Sequence, residues 1–234
     1  MAWSTNFSEA SKISAMIPRR SFLSSLGAAF AVKHPKRQVQ GSANTPFQPA
    51  RHAEDDWLDK VPGKHRLVFD TTTPDGLGNA LLYGSNFLDT NRNAYSLEYS
   101  DVALVVVVRH NSTPFAFNDA MWNKYGKVFS QRLNFTDPKS KEAPATNLYL
   151  SNAAGLASLG ITLDSLLRRG CHLAVCRLAT RNFAGAIANA VGSQAEKINE
   201  ELILNLVTNA HMVPAGIVAV NRAQERGYTF AHGG

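Results

Sequence analysis

Short apolar runs alternate with stretches of helical spacing along most of this chain. His65-Arg66-Leu67-Val68-Phe69-Asp70 reads as a short strand, and residues 76–95 carry Leu77, Leu81, Leu82, Phe87 and Leu88 at helical spacing. Val102–Val108, opened by Asp101, is an unbroken and largely β-branched run, the pattern of a strand covered on both faces in a parallel sheet. Residues 115–125 predict a short helix bearing Trp122. Residues 129–160 are less regular, with a polar loop at 137–141, and read as an insertion, a lid or a solvated excursion. Residues 162–167 predict a helix that feeds a strand at 171–176 through Gly170. Two helices follow at 180–191 and 194–204, separated by Gly192, and then a fourth strand at 206–212. Val213-Pro214-Ala215-Gly216 begins another helix that ends before Gly227, and Tyr228-Thr229-Phe230 is a last short strand. Strands alternating with helices predict a single α/β domain, with an about five-stranded, mainly parallel sheet and helices on both faces.

Composition narrows the classes. At 234 residues, 44% hydrophobic and 18% charged, the chain has the make-up of an ordinary globular protein with a sizeable core. The formal net charge is +6, of which +2 falls in residues 1–31 through Lys12, Arg19 and Arg20 against Glu9. The rest is spread thinly, with no basic block and no interleaved aromatics of the kind that stack on bases, so no nucleic acid partner is expected. No run of 18 apolar residues occurs, so no stable membrane span is expected.

Residues 1–31 carry a targeting pattern. Pro18-Arg19-Arg20-Ser21-Phe22-Leu23 precedes a modest apolar stretch from Leu26 to Val32, as in a twin-arginine export signal. Ala29-Phe30-Ala31 supplies a small-x-small cleavage site, and the expected location is periplasmic or extracellular. The alternative is a basic N-terminal tail. Residues 32–62 are rich in Pro, Gln, Asn, Ser and charge and read as a linker or arm, with Trp57 as its packing anchor. Residues 63–234 make the domain.

Cys176 is the main chemical candidate. It ends a predicted strand and faces the start of a helical pattern, where backbone N–H groups and the helix dipole favour negative charge. Ligands bind at that edge of open α/β sheets. The bland alternative is a buried, space-filling thiol. Cys171 and Cys176 lie five apart on one predicted strand, on opposite faces and about 16 Å apart, beyond the reach of a disulfide. Parallel strands would gather Asp70, His110, Cys176 and His211 or Met212 on one edge, with His110 the first choice to move a proton for Cys176. Arg177 next door would favour an anionic donor. A metal held by Asp70, His110 and Cys176 is conceivable but lacks local ligand spacing. Asp75-Gly76-Leu77-Gly78-Asn79 reads as a turn and helix start, since the dinucleotide-binding glycine spacing is absent. No Gly-x-Ser-x-Gly elbow or haem motif occurs, and no cofactor is expected.

Several segments resemble the DsrE/DsrF-like sulfur-relay family, in particular its exported members. Asp56-Trp57-Leu58 and Pro62-Gly63-Lys64-His65-Arg66-Leu67-Val68-Phe69-Asp70 resemble the approach to the family's first strand. Residues 170–181 resemble the segment with the family cysteine, matched by Cys176. Val213-Pro214-Ala215-Gly216-Ile217, with Gln224, Gly227 and Tyr228, resembles the C-terminal strand–helix–strand ending. The resemblance spans roughly residues 55–232 and implies a homo-oligomer, trimeric or hexameric. It also implies a persulfide carried on Cys176 between a sulfane-sulfur donor and a thiol acceptor. The alternative is a non-catalytic oligomeric or small-ligand binding protein with a structural cysteine.

Overall fold

The computed structural model describes residues 47–234; the expected export signal and the first half of the expected arm lie outside the described residues. Five strands form one sheet in the order β4-β3-β2-β1-β5, and every neighbouring pair is parallel. They are β1 (His65–Thr71), β2 (Val102–Val108), β3 (His172–Cys176), β4 (Ala210–Val213) and β5 (Thr229–His232). The helices are α1 (Trp57–Lys60), α2 (Pro74–Tyr95), α3 (Asp119–Leu133), α4 (Leu148–Ser151), α5 (Leu163–Leu167), α6 (Arg177–Val191), α7 (Ala195–Leu204) and α8 (Gly216–Gln224).

The central strand shows why the sheet is covered twice. All seven residues of β2 are buried, and they alternate between two cores. Val102, Leu104, Val106 and Val108 face α2, α3, α5 and α6, while Ala103, Val105 and Val107 face α1 and α8. Period-two alternation requires this split, and each buried valine stabilises the fold by roughly 1.5–3 kcal/mol. Stepping from β1 through β4 moves the chain one way across the sheet, so right-handed crossovers place α2 to α7 on one face. The return from β4 to β5 runs the other way and lays α8 on the opposite face.

Three local signals moved element bounds. Asn118 accepts from the backbone N–H groups of Ala120 and Met121, so α3 starts at Asp119, and a 3-10 helix fills His110–Ala116 instead. Residues 129–160 are neither a lid nor a solvated excursion. Phe135, Leu148, Tyr149, Ala153 and Leu156 are buried in the larger core, and Phe115 packs edge-on against Phe135 and Tyr149. Cys176 takes the N-cap position, so α6 begins at Arg177 rather than three residues on. The fourth strand is confined to Ala210–Val213, because Leu206 pairs instead with Phe117 in an isolated antiparallel bridge.

That shift moves His211 off the strand ends. It sits beside Ala174 in the register, and its Nε2 lies 2.9 Å from His172 Nδ1. Trp57 stacks on it with ring centroids 4.0 Å apart, and Leu58 and Val61 are buried beside it against the sheet. Burial first, and then the neighbouring His172, push the His211 imidazole down to about 4; burial also lowers His172. An imidazole depressed on folding leaves the unfolded chain as the better proton acceptor below its ordinary value near 6.5. Stability is therefore complete above about pH 6.5 and declines as the pH falls toward 4. The expected loss is about 1–2 kcal/mol, reduced from the full linkage value because both rings are partly exposed. Urea unfolding across this window should show the slope, and His211→Gln should flatten it; an equal slope in both proteins would remove the pair from the account.

Candidate functional site

The opposite exits of the chain from two consecutive strands open a cavity at the carboxyl edge of the sheet. α6 leaves β3 onto one face and α8 leaves β4 onto the other, the topological condition under which α/β sheets form ligand crevices. The cavity holds about 370 Å³ and is lined by side chains from the β2 exit, α3, α6 and the start of α8. Cys176 and His110 both border it, so the structure brings the two expected site residues to one opening. Arg109, Arg132 and Asn182 border it as well.

Cys176 is buried, with 7% of its surface exposed, and borders the cavity. It occupies the N-cap position of α6, where a serine or aspartate oxygen would accept from the first-turn N–H groups. Its own side chain makes no such bond, whereas its carbonyl accepts from Thr180 Oγ1 at 3.0 Å. The sulfur thus lies at the positive end of a four-turn helix without being consumed as a cap. Cys171 is wholly buried on the other face, and burial pushes its thiol up to about 12 against a smaller opposing effect of Arg169. Both cysteines are free.

Arg109 organises the edge. Its Nε and Nη2 donate to Asp70 Oδ1 and Oδ2, both at 2.7 Å, in a bidentate pair whose carboxylate side chain is only 6% exposed. The hydrogen bonds to Asp70 raise the guanidinium above its ordinary value, burial opposes them, and the charges of Asp70 and Cys176 add in the raising direction. A negative charge developing on the Cys176 sulfur is therefore attracted to Arg109. The backbone around it is tied down: Arg109 N donates to Ser112 Oγ at 3.0 Å, and Thr71 Oγ1 donates to Val107 O at 2.8 Å.

His110 sits at φ 51°, in the left-handed region, and is exposed. Arg109 Nη1 lies 2.9 Å from its Nδ1. Arginine only donates, so this contact requires the lone pair on Nδ1 and leaves the imidazole proton on Nε2. While the contact holds, His110 presents an N–H and has no free lone pair for the Cys176 proton.

Of the other expected residues, Asp70 reaches the cavity only through Arg109, His211 lies with Trp57, and Arg177 is exposed and outside the lining. Two cations at the cavity carry no signal in the sequence, Arg109 and Arg132. Arg132 projects from α3, lies 5.0 Å from the Phe183 ring centroid and donates to Asn182 Oδ1. Among the described residues it forms no ion pair and no carboxylate lines the cavity. No cluster of three or more His, Cys, Asp or Glu that could hold a metal occurs among the described residues, and no helix there is long and apolar enough to cross a membrane.

No family model matches the chain, and no curated protein matches it. A solved structure similar to it is that of MTH1491 from Methanobacterium thermoautotrophicum, a protein of unknown function. The identity is 16% and the TM-score 0.37, over 72% of this chain and 99% of that one. Likeness at that level carries no activity across.

Gly216 makes the edge possible. A Cβ there would lie 2.7 Å from Arg109 Cβ and 2.9 Å from its Cδ, too close without movement of α8 or of the Arg109 stem. Gly216→Ala should cost roughly 1–3 kcal/mol in urea unfolding, the usual scale of overpacking. Unchanged stability would mean that α8 and Arg109 can separate freely.

Proposed function

We propose that the protein carries sulfur as a persulfide on Cys176. The observation that supports this most directly is the position of the thiol, at the floor of a cavity, on a helix N-cap and within the field of Arg109. A thiolate there attacks a sulfane sulfur, holds it, and passes it to an acceptor thiol. The Arg109 guanidinium stabilises negative charge on both the thiolate and the terminal persulfide sulfur. His110 contributes as a hydrogen-bond donor through Nε2–H, not as the base. The resemblance of residues 170–181 to the DsrE-type cysteine segment agrees with this reading, which rests on the site and not on a family match.

The same reading takes the protein as exported through the Arg19-Arg20 signal and acting as a homo-oligomer. The exposed apolar side chains Leu178 and Ile217, beside the cavity, support contact with a second surface or with the apolar body of a ligand. One observation favours the competing view of a binding protein with a structural thiol: only 7% of Cys176 is exposed.

Exposure of the folded protein to polysulfide separates the two. Sulfur-mass additions should appear on the wild type, be reversed by reductant and be absent from Cys176→Ala. Equal addition to both proteins, or none to either, favours the binding protein.

A further inference from the structure

The cavity offers positive charge and no acid. Apart from the Cys176 thiol itself, its lining contains two arginines, one imidazole already engaged at Nδ1, and otherwise amide and apolar side chains. Arginine does not release a proton at accessible pH, and the His110 imidazole is occupied at Nδ1 as the acceptor of the Arg109 contact. A sulfur donor reacting here must expel a leaving group that departs unprotonated. Departure is faster for a less basic group, so an ordinary alkyl thiolate is poorly served.

The two arginines also differ. Arg109 is already matched by the Asp70 carboxylate in a bidentate pair. Arg132 has no carboxylate partner among the described residues, and it is held in place by the Phe183 ring below and Asn182 alongside. It is therefore the unneutralised charge at the opening. The walls beside it, Leu178, Phe183 and Ile217, are apolar.

Resting on the persulfide reading above, we propose that the donors taken by this cavity are organic thiosulfonates, R–SO₂–S⁻. Arg132 receives the sulfonyl oxygens and the apolar wall receives R. The Cys176 thiolate attacks the terminal sulfur of the donor. The Cys176 Sγ–S bond forms, the S–SO₂ bond breaks, and R–SO₂⁻ leaves with the bonding electron pair. Two negative charges enter and two leave, one on the persulfide and one on the weakly basic sulfinate, and no oxidant, reductant or proton donor is needed. Arg132 sets specificity by offsetting the repulsion between thiolate and anionic donor.

The test compares anionic benzenethiosulfonate with neutral methyl methanethiosulfonate, which also expels a sulfinate, on the same protein. Rates of Cys176 modification are followed by intact mass, with Cys176→Ser as blank, and expressed as the ratio of anionic to neutral reagent. Arg132→Gln should lower that ratio about tenfold, the scale of one partly screened charge–charge contact. Arg132→Lys should restore much of it, and Arg181→Gln, on the helix that Cys176 precedes but outside this cavity, should leave it unchanged. A ratio insensitive to Arg132→Gln, or lowered equally by Arg181→Gln, overturns the thiosulfonate assignment while leaving Cys176 as a sulfur carrier. Failure of both reagents to modify Cys176 overturns the carrier reading and the assignment together.

Discussion

The buried pair between Asp70 and Arg109 is the constraint on which the carboxyl edge depends. Two charges removed from water must be matched closely or they destabilise the fold, and here both guanidinium edges that face the carboxylate are used. That choice sets the remaining nitrogen, Nη1, on His110, fixes the imidazole tautomer, and places a cation beside Cys176. It also requires the glycine at the start of α8, since a side chain there would occupy the space taken by the arginine stem.

Topology supplies the rest of the opening. A sheet whose crossovers all moved one way would bury one face and leave the other bare. The reversal after β4 covers the second face with α8 and, in the same step, splays the starts of α6 and α8 apart above Cys176. The cavity is thus a by-product of closing the fold, and the residues at its rim were free to acquire chemistry without disturbing the cores.

The strands and most helices were legible because their signals are local. The β2 run could be nothing but a doubly covered strand, and Thr162, Gln194 and Gly192 marked helix ends in the expected places. Cys176 and His110 were placed on one edge correctly by the parallel-sheet argument. What sequence could not carry was distance across the fold. Arg132 lies 44 residues before Cys176 and reaches the same cavity only through the α3–α6 packing. Arg109 follows the apolar run directly and has the sequence pattern of any solvated strand-end charge, since its partner Asp70 lies 39 residues away. Residues 129–160 misled because their apolar residues, Phe135, Leu148, Tyr149 and Leu156, follow no regular period, although they fill the core as fully as any helix face.

The strand order has a consequence for how the polypeptide reaches this state as it is synthesised. β1 is the first strand made, yet its partner on one side is β5, whose Thr229 hydroxyl donates to the Arg66 carbonyl across 163 residues. Until that stretch emerges, β1 keeps an open edge and the Val68–Val105 face lacks its α8 cover. The nascent chain can complete its larger core early but stays adhesive on the other side, so maturation ends with a single late event rather than growing steadily from the N-terminus.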